Sequence, residues 1–332
     1  MTAPATDPTL DPFLPGTNIQ FAWDSTCLGM LKTCPRMYQY TMIEGWEPKN
    51  TSIHLKFGLW YHEALDTYDK QRAAGASFKV AARATIRQLL ERIREWDVDR
   101  TCKPGDYKNK YSLLQLVVDY LDNFRDDPAT TYILENGQPA VELSFRFELE
   151  YGPEAEVEVK DPDGYVSYHQ QPYMLCGHLD RIVEYGDVLF CLDHKTTTTT
   201  PGNYFFDKFS PDNQMSLYTI ATRVVYKALV RGVIIEAAQI RLTEPNRFER
   251  GTTLRTKDQM HEWMKELRVW LDAAESYALA NYWPMNDTSC DKYGGCRFRG
   301  VCSKSPSVRE FWLAEEFDKK PLEERWNPLK PR

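Results

Sequence analysis

The stretch from Tyr173 to Lys195 constrains this chain more than any other. Tyr173 to Glu184 and Asp187 to Lys195 read as two strands that meet at Tyr185-Gly186, a hairpin signal. With the turn there, Glu184 faces Asp187 and Asp180 faces Cys191. Asp193 is then a diagonal neighbour of Asp180 on one face, because residues two apart in a strand share a face. Any turn with an even number of residues keeps that parity, and Lys195 points the same way. Two carboxylates and an ammonium therefore converge on one sheet surface. Hard oxygen ligands held in this way suit Mg²⁺ or Mn²⁺. A cation there could hold a phosphate and lower the pKa of a water, while the lysine positions that water or stabilises developing charge. An isolated Asp-x-Lys is usually a surface ion pair worth little. The weight falls on the company these residues keep.

That company begins with the order of elements. From about Asp24 to Arg125 the pattern is helical. Leu59, His62, Leu65 and Asp69 are spaced 3, 3 and 4, Ala81 to Trp96 is charged and amphipathic, and Tyr111 to Phe124 gives another helix. From Ala140 the period changes to two, with Val141, Leu143, Phe145 and Phe147 alternating as in a half-buried strand. After the hairpin come a threonine loop (Thr196 to Gly202), a helix from Asp212 to Leu229, a strand from Val233 to Leu242 and a helix from about Thr256 to Tyr282. Residues 1–19, with four prolines and no basic residue, read as a flexible leader. Residues 20–332 read as a single domain: helical over 20–130, an α/β core over 131–282, a cysteine cluster over 283–305 and a tail over 306–332.

Gln214 and Tyr218 sit at i and i+4, on one helix face just after the lysine loop. His62 lies in the aromatic-rich run Phe57-Gly-Leu-Trp-Tyr-His-Glu-Ala-Leu65. Alone, the first pair would be helix surface and the histidine a satisfied core residue. A second constellation is Cys290-Asp-Lys-Tyr-Gly-Gly-Cys296-Arg-Phe-Arg-Gly-Val-Cys302, with Lys292, Arg297 and Arg299 interleaved. Thiolates are favoured by such neighbouring positive charge. Three close cysteines need a fourth ligand, because zinc and iron–sulfur sites usually take four. Cys34 in Thr33-Cys-Pro-Arg-Met-Tyr38 is the leading candidate and Cys27 its competitor. Cys102, Cys176 and Cys191 read as small core residues. Spacing alone leaves zinc and iron–sulfur both open.

Composition supports an intracellular, folded protein. The 332 residues are 42% hydrophobic and 13% aromatic, enough for a sizeable core and against disorder. No secretory signal opens the chain, and no apolar run approaches the ~18–20 residues that cross a bilayer. The richest stretch, Tyr218 to Ile235, is broken by Arg223, Lys227 and Arg231. A cytoplasmic location follows as an expectation (host cytoplasm for a phage-encoded protein), with cysteines free for metal rather than disulfides.

With these residues assembled, the chain resembles the RecB-like branch of the PD-(D/E)xK nuclease superfamily, and specifically its iron–sulfur members. Those include the Cas4 nucleases, the AddB nuclease domain and phage exonucleases. The matching pieces are Cys34-Pro-Arg-x-Tyr38, Gly58-x-x-x-His62, Glu142, Gly177-x-x-Asp180, Asp193-x-Lys195-Thr196, Gln214-x-x-x-Tyr218 and the three late cysteines. The resemblance implies a restriction-endonuclease-like mixed sheet flanked by helices, with an N-terminal helical region and an iron–sulfur clasp. It implies His62, Asp180 and Asp193 as ligands of Mg²⁺ or Mn²⁺, and Lys195 as the catalytic lysine. Gln214 and Tyr218 would border the site and hold DNA, and Glu142 matches a frequent acidic position. Cys34, Cys290, Cys296 and Cys302 would bind a [4Fe–4S] cluster. The longer spacer between Cys290 and Cys296 departs from the family pattern. So does His194, which alternates away from Asp193 and is expected to have no catalytic role.

The implied function is a metal-dependent DNA nuclease, an exonuclease on DNA ends or single strands, acting alone or with a helicase, recombinase or other DNA-processing subunit. The chain has no G-x-x-x-x-G-K-[S/T] loop and so no motor of its own. The alternative is a non-catalytic DNA-binding or assembly subunit of a recombination or CRISPR-type complex; a zinc-stabilised protein without nuclease activity is a third reading. Net charge, 41 − 48 = −7, looks wrong for a phosphate-binding protein. Residues 131–190 hold 12 acids and 3 bases (−9), 20–130 hold 16 bases and 15 acids (+1), and 191–260 hold 10 bases and 7 acids (+3). The excess acid lies in the segment with Glu142 and Asp180, proposed to face cations, and DNA would meet the remainder.

Overall fold

A two-residue turn sets the register of the central hairpin. In the computed structural model, which describes residues 11–49, 53–94, 96, 106–160, 166–292 and 295–330, strands Met174–Tyr185 and Val188–Thr197 pair antiparallel with Tyr185 opposite Val188 and Arg181 opposite Leu192. The turn is therefore Gly186-Asp187, one residue later than the sequence suggested. Both residues have left-handed φ, +58° and +61°. A type I′ turn demands that conformation at its two central positions, which Gly and Asp tolerate better than Tyr185. The turn still has two residues, so face parity survives. The pairing ends at Arg181 opposite Leu192, so Asp180 and Asp193 are the next residue on each strand.

The chain divides into two compact units interleaved in sequence, where a single domain was expected. One comprises Thr51–Leu143 and His178–Thr256. Its strand Val188–Thr197 continues through helix Asn213–Val224 into Gly232–Gln239, which pairs parallel to it. All eight residues of Gly232–Gln239 are buried, the continuous run typical of an interior parallel strand. Asp212 caps the crossover helix by accepting a hydrogen bond from the Met215 N–H at 3.0 Å. Strand Arg247–Leu254 then pairs antiparallel with Gly232–Gln239. That strand was not expected, because Arg247-Phe-Glu-Arg-Gly-Thr-Thr-Leu254 lacks an apolar alternation. The result is a mixed sheet flanked by helices, as the sequence implied.

Helices Ile53–Ala73, Phe78–Arg92 and Lys110–Asn123 form the helical part of this unit. Phe57, Tyr61, Ala64, Leu65 and Tyr68 make the buried stripe of the first, packed with Leu113, Leu116, Val117 and Tyr120 of the third. A buried ion pair helps tie the first helix to the sheet. The Arg181 guanidinium lies 3.0 Å from Asp69 Oδ1, both side chains nearly solvent-free, and also donates to Thr131 Oγ1 and the Ala129 carbonyl. Since adjacent strand residues point to opposite faces, Arg181 is clamped on the face away from Asp180.

The other unit comprises Met1–Asn50, Ser144–Gly177 and Lys257–Arg332. It holds helix Ser25–Thr33, capped by Asp24, and the long helix Lys257–Leu279. Hairpin Glu156–Lys160/Val166–Gln170 and the pair Trp46–Pro48/Phe317–Lys319 are strands the sequence did not announce. Ala22 and Trp23 run parallel to Met174 and Leu175. The leader departs from expectation over its described part: Phe13, Leu14 and Ile19 are buried, and Phe13 bridges Gln20. Apolar side chains between the prolines explain this. Residues 1–10 and Cys102 lie outside the described residues. Among the described residues no helix is long and apolar enough to cross a membrane.

Breaking the Asp69–Arg181 pair leaves an uncompensated buried charge. Arg181→Ala is expected to lower stability by about 3–5 kcal/mol. A double Asp69→Leu/Arg181→Met variant should recover most of that loss, both read from urea unfolding midpoints.

Candidate active site

Asp180 and Asp193 are buried, with 6% and 1% of their surfaces exposed. Each is compensated differently. Asp180 Oδ2 accepts the His194 backbone N–H at 2.9 Å and lies 3.3 Å from His62 Nδ1. Burial pushes the Asp180 carboxyl up, but the charges of His62, His194 and Lys195 together outweigh it and hold the group below the ordinary carboxylate range. Burial likewise raises Asp193, and there the neighbouring Lys195 only partly offsets it. Lys195 Nζ lies 2.9 and 2.6 Å from the two Asp193 oxygens and donates to Gln214 Oε1 at 3.0 Å. Burial favours neutral lysine, yet Asp193 and Asp180 outweigh it and raise the Lys195 pKa, so the ammonium is charged at neutral pH. Gln214 Nε2 in turn donates to Tyr218 OH at 3.0 Å. The i, i+4 spacing thus aims one helix face at the lysine.

His62 comes from helix Ile53–Ala73 and Glu142 from strand Val141–Glu148. One ligand atom each from His62, Glu142 and Asp180 lie within 4.8 Å of one another, the only such group of three among the described residues. Glu142 has a left-handed φ of +50°, a conformation uncommon outside glycine. Backbone strain of this kind is characteristic of sites where a side chain must be aimed against local preference. The tight group therefore includes Glu142, whereas Asp193, expected as a ligand with His62 and Asp180, is held against Lys195.

Sequence reasoning missed Asp66. It stands one turn after His62, at i+4 on the same helix face. Burial and the Glu142 and Asp180 carboxylates push its carboxyl up to about 9. The available signal was the His62-x-x-x-Asp66 spacing. These residues fit a divalent cation on two grounds. The Glu142 and Asp180 carboxylates stand close to the His62 imidazole with Asp66 in their field, and Asp193 Oδ2, though beside Lys195, is a buried oxygen with no well-aligned hydrogen bond.

His194 points away from Asp193, as alternation required. Its Nδ1 is 2.8 Å from Glu236 Oε1, and Glu236 also accepts from Arg250 at 2.7 Å. Arg250 makes two further bonds to Asp127, at 2.7 and 2.6 Å. Burial raises Glu236, but His194 and Arg250 bring it down to about 2.

The sequence matches the PD-(D/E)XK nuclease superfamily over residues 26–303, more than four-fifths of the chain. The chain belongs to that superfamily. No curated protein matches this nuclease. Among solved structures it is similar to an Eubacterium rectale protein provisionally described as an exonuclease, with a TM-score of 0.48 and 13% identity, over 88% of this chain and 92% of that one.

The cysteines of the second constellation lie in the other unit. Cys34, Cys290 and Cys296 line a cavity of about 300 Å³ with Met37, Asn286 and Arg297. Cys34 Sγ accepts the Asn286 backbone N–H at 3.4 Å. Burial and the neighbouring Cys296 and Cys34 thiols raise Cys290, and the same causes push Cys302 up to about 11. Their sulfurs do not form a group as tight as the His62 triad. Cys27 is fully buried, its thiol pushed far up by burial and by Asp24; Cys176 and Cys191 are core residues.

Asp66 links the site to pH. Its pKa is raised on folding, so the native protein without a cation binds a proton that the unfolded chain releases near 4. Stability from this group is full below about pH 4 and is lost as pH rises toward about 9. Urea midpoints for the cation-free protein should fall from pH 5 to pH 8. Asp66→Asn should flatten that dependence, and Mg²⁺ should stabilise wild type more at pH 8 than at pH 5.

Proposed function

We propose that this nuclease is a divalent-metal-dependent deoxyribonuclease of the RecB-like and Cas4-like type, hydrolysing phosphodiester bonds at DNA ends or in single strands. The observation that carries the reading is the joint presence of the His62–Glu142–Asp180 group and, across the same hairpin, a charged lysine held by Asp193 and Gln214. His62, Glu142 and Asp180 would hold the cation, with Asp193 Oδ2 available as a further oxygen. A divalent ion there supplies charge neutralisation at phosphate and a lowered pKa for an attacking water.

The chain's own groups do the rest. Lys195 is a fixed positive charge rather than a base, because its carboxylate neighbours keep it protonated. Such a charge, pre-positioned in a partly buried site, stabilises negative charge that develops on the reacting phosphate. Gln214 orients the lysine: its carbonyl accepts from Nζ while its amide donates to Tyr218, which leaves the side chain one amide orientation. Both hydrogen bonds come from the helix that crosses between the two parallel strands.

Cys34, Cys290, Cys296 and Cys302 would hold a [4Fe–4S] cluster that ties the Cys34 turn to the 290–302 segment. Three of the four, Cys34, Cys290 and Cys296, line one cavity, which supports this reading. The intact acidic pair and lysine favour an enzyme over a binding subunit.

Asp193→Ala and Lys195→Ala should each reduce DNA hydrolysis with Mn²⁺ by about 10²–10³-fold, and chelation should abolish the wild-type activity. Wild-type rates in either variant would overturn the assignment. Anaerobically purified protein should be brown and contain iron, and Cys34→Ala should bleach it. A colourless, zinc-loaded wild type would remove the cluster from this account.

A further inference from the structure

Just beyond the strand end that carries Lys195, helix Asn203–Asp207 presents Tyr204 with 95% of its surface exposed. The phenylalanines beside that phenol are packed. Phe205 and Phe209 are buried, with ring centroids 5.7 Å apart, and Phe206 packs edge-on to Phe205 at 5.2 Å. Phe206 also covers Gly251, where an added Cβ would overlap its ring. Lys208 lies over the same base, its ammonium 3.8 Å from the Phe205 centroid and 5.0 Å from that of Phe209. Partial burial and the charge of Lys195 hold Lys208 below the ordinary lysine value, so the two ammonium groups share one field.

The threonine loop is met by a second aromatic and basic segment. Lys108 Nζ reaches Thr196 Oγ1 at 3.4 Å, directly after Lys195 in the chain. Its neighbours Tyr107 and Tyr111 are 47% and 68% exposed, and Lys110 lies over the Tyr111 ring at 5.5 Å. Core packing explains neither these tyrosines nor Tyr204. Exposed rings interleaved with lysines suit one class of ligand, a nucleic acid with unpaired bases: any base can stack on a phenol, and each lysine can meet a phosphate. A duplex hides its base faces and would leave the rings unused.

We infer that Tyr204, Tyr107 and Tyr111, with Lys108, Lys110 and Lys208, form a track that leads single-stranded DNA to Lys195. This inference rests on the nuclease reading of Asp180, Asp193 and Lys195. Tyr204 is a substrate-positioning residue within it, carried on a short helix whose Phe205 is buried beside Phe209.

The test is steady-state kinetics of the full chain on single-stranded and duplex oligonucleotides of equal length, with anisotropy of a labelled single strand alongside. Tyr204→Ala should raise KM on single strands about tenfold with kcat little changed, as loss of one stacked base implies. Tyr204→Phe should retain the wild-type KM, and duplex KM should not respond to either variant. Lys208→Ala should lower the salt slope of single-strand binding by about 0.7, the contribution of one phosphate contact. Unchanged single-strand KM and affinity in Tyr204→Ala, or equal losses on both substrates, would overturn the track while leaving the nuclease reading intact. A wild type that binds single strands through Tyr204 but cleaves nothing would overturn the nuclease reading instead.

Discussion

Two carboxylates on neighbouring strands, Asp180 and Asp193, are taken out of water side by side, and the rest of the site answers that constraint. Burying one ionised carboxylate is costly; burying two in register requires matching positive charge and hydrogen bonds. The protein supplies a backbone N–H and an imidazole to Asp180 and an ammonium to Asp193. That compensation is incomplete. Asp66 carries the remainder as a raised pKa, and Asp193 retains an oxygen without an aligned partner. That residual negative charge is what the proposed cation would offset.

The same strand is secured on its other face. Arg181 is the immediate neighbour of Asp180 and pairs with Asp69, two turns along the helix from His62. His194 is the neighbour of Asp193 and joins Glu236, Arg250 and Asp127. Alternation along the two strands thus couples each acid of the site to an ion pair behind it. The helix that brings His62 is held to the sheet by the residue beside His62's own partner. Positioning and chemistry share a backbone.

Much of this was legible beforehand because it depends on local periodicity. The hairpin, the shared face of Asp180 and Asp193 and the Gln214–Tyr218 face follow from periods of two and 3.6, while the strand from Val233 followed from its apolar run and its parallel pairing did not. The turn position did not, because it depends on which residues tolerate left-handed φ at two successive positions. Strand Arg247–Leu254 lacks a pattern of its own and is a strand because Gly232–Gln239 offers it an edge. The charge imbalance also resolved locally: the acidic segment 131–190 contains two of the three members of the tight group.

Sequence by itself determined the family, the two carboxylates and lysine on one sheet face, and the four cysteines worth gathering. Those depend on residue type, order and short-range geometry, which are written along the chain. Tertiary structure alone decided that Glu142 rather than Asp193 completes the group with His62 and Asp180, that Asp66 joins their field, and that Tyr204 stands exposed beyond the lysine. Distances among residues 62, 142 and 180 depend on how a helix docks against a sheet. Packing and the burial of the Asp69–Arg181 pair set that docking, and no spacing in the sequence encodes it.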